Sequence, residues 1–340
     1  MTPPFRMRPA LKSDFEALML LAEESGPGFT SLPVHEQVLE DRLALSEESF
    51  AGRVEQPAYG KYLMMLEQVE TDEIAGCSAV KAGTGLKAPF FNYRIITVAQ
   101  ASSEADRRFD MDALVLTNEF IGYTEVGTLF LRQKFRGGGT GALLSQSRYL
   151  LMAVAPDRFG EMVLAELRGV VDGEGRAPFW DHLGRHFFRM SFPEADLLSA
   201  TTQNQFILDL MPKYPVYVDL LPPEAREVIG RCHADGVPAL KLLEREGFRF
   251  ERVVDIFDGG PIVVAPRRMI RTVRECRTVR LDIGETTATR GVLATTDIAS
   301  YRATLAEGEL LSDGRFVTSA DILERLEVKP GAEAVFRERD

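Results

Sequence analysis

A glycine-rich turn near the middle of the chain carries the clearest chemical signal. Residues Arg136 to Gly141 read RGGGTG, follow the apolar segment Val126 to Leu131, and precede a helical pattern from Gly141 to Ala153. Glycines between a strand and a helix let backbone N–H groups face outward, where the positive end of the helix dipole reinforces them. The sequence therefore predicts an anion site that suits a pyrophosphate.

Two common phosphate loops match this turn poorly. A Walker A loop needs a lysine and a hydroxyl residue directly after its last glycine, where Ala142 and Leu143 stand, so we exclude it. A dinucleotide fingerprint is formally satisfied by Gly137, Gly139 and Ala142. However, the turn lies deep in the chain, and Glu166 comes too late to be the acidic residue expected about 20 residues further on. We therefore disfavour this second interpretation.

A third pattern, R-x-x-G-x-G, is formed by Arg136, Gly139 and Gly141. It resembles the CoA pyrophosphate loop of the GNAT superfamily of N-acyltransferases. The segment from Ala239 to Phe248 also resembles a late helix-to-strand element of that superfamily, which typically ends in Gly-Phe. This agreement favours a CoA site over a glycine-rich turn without a ligand, which is the remaining alternative.

The elements that must position this turn are a mixture of strands and helices. They are a strand and a helix within 6–24, a helix over 36–50, strands over 62–69, 74–82, 94–99, 113–116, 126–131 and 161–167, a helix over 237–246 and a strand over 248–257. We expect an α/β fold with a mixed (α+β) sheet. A GNAT-type acyltransferase core would span residues 1–280, with a large insertion at about 170–231. A small β-rich C-terminal appendage would span 281–340.

The chain as a whole resembles the arginine N-succinyltransferase family, from Met7 to about residue 280. The stretches that carry the resemblance are TSLP at 30–33, NYR at 92–94, TLFL at 128–131, LLS at 143–145, SR at 147–148, ELRGV at 166–170, PFW at 178–180, LMPK at 210–213 and DIFDGGP at 255–261. The resemblance implies an enzyme that transfers the succinyl group of succinyl-CoA to the α-amine of L-arginine, opening a route of arginine degradation. Succinyl-CoA would be the cosubstrate, with no tightly bound cofactor.

The acceptor and the assembly stay open, because related chains accept ornithine or act as paired α and β subunits. One alternative is an N-acyltransferase for ornithine or another amine. Another is a noncatalytic subunit of a heteromeric arginine/ornithine succinyltransferase. The intact glycine turn and His233 speak against the noncatalytic alternative. We expect a homo-oligomer or a pairing with a related subunit.

The proton donor for the departing thiolate is predicted at His233. Many GNAT enzymes use a tyrosine on the late helix, but alignment on Gly247 and Phe248 places Leu243 there. The family resemblance implies the donor role for His233, whose imidazole exchanges protons near neutral pH; otherwise a helix cap or a surface histidine is the simpler interpretation. The neighbouring Cys232 suggests a nucleophile activated by histidine. We disfavour that mechanism because sequence neighbours rarely face each other in this way.

Candidate ligand-binding residues follow from the same motifs. The expected CoA contacts are Leu129, Leu131, Arg136, Gly137, Gly139 and Gly141, and the resemblance places Leu129 at a succinyl-CoA position. A guanidinium prefers carboxylates in bidentate geometry, so the candidates for binding arginine are Glu166, Asp255 and Asp258. Arg94 or Arg168 would hold the succinyl carboxylate.

Composition narrows the class of protein. The net charge of −11 disfavours nucleic acid or an anionic membrane as a partner. No apolar run is long enough to span a membrane, and no export signal begins the chain. The cysteines, Cys77, Cys232 and Cys276, indicate neither disulfides nor a metal pair. His182 and His186 have i, i+4 spacing but no third ligand, so we predict no metal site.

The cysteine pattern and the lack of an export signal together lead us to expect a cytoplasmic protein.

Overall fold

The strands of the chain form one mixed sheet, which helices cover. The structure, a computed structural model, describes residues 4–26, 29, 31–202, 204–284 and 289–339. Thr30, the first residue of the TSLP stretch, lies outside these ranges. Within them the chain forms 15 strands and ten α-helices. The predicted α/β class with a mixed sheet is therefore confirmed.

The strands begin and end as follows. They are β1 Phe5–Pro9, β2 Lys61–Gln68, β3 Glu73–Lys81, β4 Asn92–Ser102, β5 Arg107–Thr117, β6 Thr124–Leu131, β7 Met162–Glu166, β8 Val216–Tyr217, β9 Arg249–Asp255, β10 Pro261–Pro266, β11 Arg277–Ile283, β12 Thr289–Thr295, β13 Ala303–Leu310, β14 Arg315–Thr318 and β15 Glu333–Glu338. β4 and β5 are longer than the sequence pattern predicts, because the polar tip of their hairpin is exposed and does not show a two-residue hydrophobic period.

The helices begin and end as follows. They are α1 Phe15–Ser25, α2 Glu36–Phe50, α3 Thr140–Val154, α4 Arg185–Phe188, α5 Phe192–Thr201, α6 Gln205–Leu210, α7 Pro223–Arg226, α8 Val237–Glu246, α9 Arg271–Glu275 and α10 Ala320–Leu326. The bounds of α2 and α8 coincide with the predicted ones. No helix in the described ranges is both long enough and apolar enough to cross a bilayer.

The central strands run in the order β1-β2-β3-β6-β7-β10-β9-β4-β5-β8. In this part of the sheet only β6 and β7 are parallel neighbours, and they pair only where Thr124 faces Val163 and Glu125 faces Leu164. Beyond those pairs, the only strand among the described residues that pairs with β6 is β3. A cleft therefore opens between the carboxyl half of β6 and the end of β7.

Helices cover both faces of this sheet. On one face, α2 buries Leu39 and Leu43 against Leu63 of β2. On the other face, α3 and α8 bury Leu150 and Leu243 in the core that includes β7 and β10. Since side chains alternate along a strand, each polar residue near the cleft belongs to one of these two layers.

Two further segments complete the chain. Between β7 and α8, the short helices α4 to α7 surround Trp180, whose fully buried ring contacts Phe188 and Phe257. After α9, strands β11 to β15 form a barrel that closes because β12 pairs with both β13 and β15. β13 also pairs with β1, so the barrel continues the central sheet.

Candidate active site

The glycine-rich turn is an open loop between β6 and α3. Gly137, Gly138 and Gly139 have φ values of 114°, 56° and 93°, and Gly139 is the N-cap of α3. These left-handed conformations favour glycine. No side chain caps the first N–H groups of α3. The N–H of Thr140 donates to the carbonyl of Gly137 at 3.0 Å, so the N–H groups that follow it at the start of α3 are the ones available to an anion.

Two arginines flank the turn. Arg136 is exposed, and its Nε donates to the carbonyl of Leu131 at 3.2 Å. Arg339, just after β15, places its guanidinium against Gly139, where an added Cβ would overlap it. This guanidinium has no ion-pair partner among the described residues. The C-terminal barrel thus contributes a free positive charge to a turn that is distant in sequence.

The edge of β6 that faces the cleft carries a bulge. Thr128 has a φ of 51°, and the register with β3 shifts beside it. Leu129 and Leu131 follow the bulge and are partly exposed. Because no strand of the described part of the chain pairs with this edge beyond Glu125, its backbone groups are open to an extended ligand that carries amides.

His233 lies on the β7 side of the cleft. Its backbone N–H donates to the carbonyl of Arg168 at 2.8 Å, which ties it to the chain leaving β7. Its side chain is 19% exposed, and Nδ1 accepts the backbone N–H of Asp235 at 3.2 Å. Since Nδ1 accepts this bond, the neutral ring carries its proton on Nε2. His233 is therefore a helix cap that still offers a proton.

Cys232 lacks the properties of an activated nucleophile. Its Sγ donates to the carbonyl of His233 at 3.3 Å rather than to an imidazole nitrogen. Burial, together with the charge of Asp258, raises the pKa of the thiol to about 11. A thiol with this pKa is almost entirely protonated at neutral pH and hence a poor nucleophile. The geometry therefore also argues against Cys232 as a nucleophile.

The three predicted carboxylates come together beyond the ends of β7 and β9. Glu166 ends β7, Asp255 ends β9, and Asp258 lies in the turn that leads to β10. Burial raises the pKa of all three carboxyl groups, and the charge of Asp255 raises those of Glu166 and Asp258 further. Adjacent carboxylates repel one another, so a cation bound among them would be stabilised.

The three carboxylates differ in how their oxygens are engaged. Asp258 accepts two backbone N–H groups at 2.7 and 2.8 Å. Asp255 accepts two others at 2.7 and 3.0 Å. Glu166 accepts no hydrogen bond from any described residue. Glu166 is thus the carboxylate most available to a ligand, whereas the two aspartates also hold the β9–β10 turn.

Other polar residues complete this pocket. Asn92 is fully buried opposite Asp255 in the β4–β9 ladder, and neither of its amide atoms has a partner among the described residues. The Nε of Arg168 is also buried without a partner. Burial, with repulsion from Asp255, raises the pKa of Asp196 to about 6. Buried polar atoms are normally hydrogen-bonded, so these atoms indicate a place for water or a ligand.

Arg94 is separated from this group by its own ion pair. Its guanidinium donates to both carboxylate oxygens of Glu119 and, at 3.2 Å, to the carbonyl of Glu251. Glu119 holds the pKa of Arg94 above its usual value. Of the two arginines proposed for the succinyl carboxylate, Arg168 is the one that lies beside His233 and the acidic group.

Comparison with known proteins adds the family to this geometry. A sequence model described as the arginine N-succinyltransferase beta subunit matches residues 5–272. The chain belongs to the arginine N-succinyltransferase family. The predicted resemblance is therefore confirmed, and the matched range includes the cleft, the glycine turn and His233.

Three members illustrate how far the family likeness extends. An arginine N-succinyltransferase from Escherichia coli O6:H1 (strain CFT073) is 42% identical over 279 residues, which cover 82% of this chain and 81% of the relative. Another, from Escherichia coli strain 55989, is 38% identical over 330 residues, covering 96% and 95%. Subunit AI of the arginine/ornithine succinyltransferase from Pseudomonas aeruginosa has a similar structure, with a TM-score of 0.91, 31% identity and 99% coverage of both chains. That match includes the C-terminal barrel.

The structure shows a second group of charged side chains near the cleft that the sequence analysis did not predict. Lys61, Lys81 and Glu125 face one another across β2, β3 and β6, so their side chains share one face of the sheet. Arg42 of α2 covers the same face and donates to the carbonyl of Ser31. Each lysine stands at the end of an otherwise apolar strand, where a solvated lysine is common. The sequence therefore gave no signal for this group.

We expect Lys61→Met to stabilise the protein. Burial, with repulsion from Arg42 and Lys81, lowers the pKa of Lys61 from 10.5 to about 7. The charged lysine therefore costs stability in full below pH 7, and this cost declines as the pH rises toward 10.5. Methionine keeps the apolar stem, so the gain in unfolding free energy should be on the order of 1 kcal/mol or more at pH 6.

Urea unfolding of the wild type and Lys61→Met at pH 6 and pH 9.5 tests this expectation. The difference between the two proteins should be larger at pH 6. A variant that is less stable at both values would show that Lys61 is well solvated or well paired. Lys12→Met, which alters a 71% exposed side chain, is the control.

Proposed function

We propose that this chain transfers the succinyl group of succinyl-CoA to the α-amine of L-arginine by direct acyl transfer, on a GNAT-type core. The observation that carries the proposal is the arrangement at the cleft. An anion-binding turn and a free strand edge lie on its β6 side. A histidine that can donate a proton lies on its β7 side, together with a group of partly buried carboxylates. Membership of the family supplies the class of reaction.

The glycine turn and β6 would hold succinyl-CoA, which serves as cosubstrate. Gly137, Gly139 and Gly141 would receive the pyrophosphate, and the guanidinium groups of Arg136 and Arg339 would neutralise phosphate charge. The amides of the pantetheine arm can then bond to the free edge at residues 129 and 131. This binding mode places the thioester near the point where β6 and β7 meet.

The acidic pocket would bind the cationic acceptor. Glu166, Asp255 and Asp258 form a negative group to which an arginine guanidinium could bind. Arg168, which the sequence suggested for the succinyl carboxylate, lies beside His233 and the acidic group, so we reassign it to the α-carboxylate of the amino acid. Holding both reactants in this way converts a bimolecular step into a unimolecular one, which can contribute about 7 to 11 kcal/mol.

The reaction would then need few groups from the protein. The neutral α-amine attacks the thioester carbonyl, the C–N bond forms, and the C–S bond breaks as the intermediate collapses. The attacking nitrogen loses its extra proton to solvent. The thiolate receives a proton from Nε2 of His233 in its imidazolium form, whose Nδ1 lies 3.6 Å from the carboxylate of Asp235, and solvent then returns that proton to the ring. No acyl-enzyme is required, which agrees with the protonated state of Cys232.

Assembly and location are parts of the same proposal. The similar structure from Pseudomonas aeruginosa is described as a subunit, which supports a homo-oligomer or a pairing with a related chain. The exposed β4–β5 hairpin, with Phe109 48% exposed, is a candidate contact surface. All three cysteines are free, which suits the cytoplasm.

Thiol release from succinyl-CoA by the purified chain tests the proposed function. Arginine, ornithine and lysine serve as acceptors, and acetyl-CoA is the comparison donor. We expect turnover with succinyl-CoA and arginine above all other pairs. A preference for ornithine would show that ornithine, rather than arginine, is the acceptor. No turnover with any pair would favour the noncatalytic-subunit alternative.

Gly141→Ala is expected to weaken CoA binding without harming the fold. An added Cβ meets only the side chain of Leu131, at 4.0 Å, and residue 141 lies in α3, where alanine is favoured over glycine by about 0.5–1 kcal/mol. In the proposed binding mode this methyl enters the space between pyrophosphate and pantetheine. We expect the Kd for succinyl-CoA to rise about tenfold or more while Tm stays equal or increases.

Calorimetric titration with succinyl-CoA provides the measurement, and Gly173→Ala in an exposed turn provides the control. No atom lies within 4 Å of a Cβ built at that position. Equal dissociation constants for the two variants would contradict the placement of the pyrophosphate at the turn.

A further inference from the structure

The charged group formed by Arg42, Lys61, Lys81 and Glu125 has more positive than negative charge. Lys81 lies 3.6 Å from the carboxylate of Glu125, which partly balances one cation. The Nζ of Lys61 has no hydrogen-bond or ion-pair partner among the described residues. Arg42 donates one hydrogen bond to the carbonyl of Ser31. Two cations therefore remain without a counterion from the described part of the chain.

Such an arrangement is costly for the folded protein. Like charges that face each other directly across strands are destabilising, and Lys61 and Lys81 are direct partners in the β2–β3 ladder. Burial lowers the pKa of Lys61 to about 7 and that of Arg42 to about 10. Glu125 pairs with Lys81, and its charge also acts on Lys61 and Arg42. A cluster of this kind is stabilised when an anion binds among its members.

The position of the cluster relative to the cleft indicates which anion it would receive. Glu125 is the last residue of β6 that pairs with β7, and Leu131 adjoins the glycine turn. The six residue-to-residue steps from Glu125 to Leu131 span about 20 Å of extended strand. A CoA thioester anchored at the turn and lying along β6 would therefore point its acyl end toward Glu125 and the cations around it.

The bulge supports this direction. Thr128 donates to the carbonyl of Ser31 at 3.2 Å, and the same carbonyl accepts from Arg42. The loop before α2 thus links the cleft edge of β6 to the cluster. On the opposite side, Glu166 and the other acidic residues leave the amine end of the pocket negative. The two substrates would meet between a positive and a negative region.

We propose that Arg42, Lys61 and Lys81 bind the terminal carboxylate of the succinyl group and thereby select succinyl-CoA over donors whose acyl chain ends in a methyl group. This inference rests on the proposed function and adds the residues that set donor specificity. The free carboxylate is the chemical feature that separates succinyl from butyryl and acetyl groups. Glu125 would position Lys81 for it.

The test compares donors in Lys61→Met. With arginine as acceptor, kcat/KM for succinyl-CoA should fall about 10- to 100-fold, as expected for loss of a charged hydrogen bond. The value for butyryl-CoA, which lacks the carboxylate, should change by no more than about threefold. Lys12→Met should alter neither. Equal losses with both donors would overturn the proposal.

A second acceptor distinguishes the two carboxylates that could occupy the cluster. Agmatine has the guanidinium and an amine but no α-carboxylate. If Lys61→Met impairs succinyl transfer to agmatine as much as to arginine, the donor carboxylate is the ligand. A loss confined to arginine would assign the cluster to the acceptor and overturn the proposal.

Calorimetry keeps the inference separate from the proposed function. Without acceptor, the wild type should bind succinyl-CoA more tightly than butyryl-CoA, and Lys61→Met should remove that difference. If the wild type turns over no donor, the proposed function fails while this binding comparison still decides the inference. An unchanged preference in a folded variant would overturn it.

Discussion

Replacing His233 with alanine should lower kcat for succinyl transfer by about 10²- to 10⁴-fold, the usual effect of losing a general acid or base. The departing thiolate would lose the proton source at Nε2, and water would have to replace it. The Kd for succinyl-CoA should change little, because the turn and strand edge that we propose for CoA lie on the β6 side.

A second variant separates proton donation from helix capping. Nδ1 of His233 accepts the N–H of Asp235 and so caps the turn before α8. Asparagine is a good cap but cannot donate a proton as an acid, so His233→Asn should keep the Tm and lose activity like alanine. His186→Ala, at an exposed position, should leave kcat unchanged. Activity near the wild-type level in the asparagine variant would show that His233 has only a structural role.

The sequence was sufficient where the signal was local. The turn from Arg136 to Gly141 is recognisable because its glycines follow an apolar strand and precede a helical pattern. α8 is recognisable because its apolar residues end at Gly247, whose φ of 100° closes the helix. Both signals come from residues within one or two turns of the chain, where backbone preferences act directly.

The remaining site features depend on contacts between distant residues. Lys61, Lys81 and Glu125 become neighbours only through the register of three strands, and a shift of one residue would send each side chain to the other face. Arg339 meets the glycine turn only because the C-terminal strands close into a barrel that pairs with β1. The sequence likewise could not show that the carboxylate of Asp258 accepts hydrogen bonds from two backbone N–H groups, whereas that of Glu166 accepts none from the described residues.

Glu166→Gln is the second substitution with a large expected effect, and it should lower kcat/KM for arginine by about 30- to 300-fold. Glutamine keeps the shape of the side chain and removes its charge. Glu166 accepts no hydrogen bond from the described residues, and a bound guanidinium would counter the effects that raise its pKa and stabilise the charged carboxylate. Binding of succinyl-CoA should be unchanged. The variant should also have a higher Tm, because one carboxylate of a repelling group is removed.

Citrulline distinguishes a guanidinium site from a general base, because it has the shape of arginine without the positive charge. If Glu166 binds the guanidinium, Glu166→Gln should reduce the preference for arginine over citrulline, since only the charged acceptor loses an attraction. If Glu166 instead removes the proton of the α-ammonium, both acceptors should lose activity equally. Glu244→Gln, at an exposed position on α8, controls for the loss of one negative charge. An unchanged arginine preference with unchanged kcat/KM would place the cationic end of the substrate outside the acidic pocket, because a buried carboxylate in contact with a cation cannot be neutralised without effect.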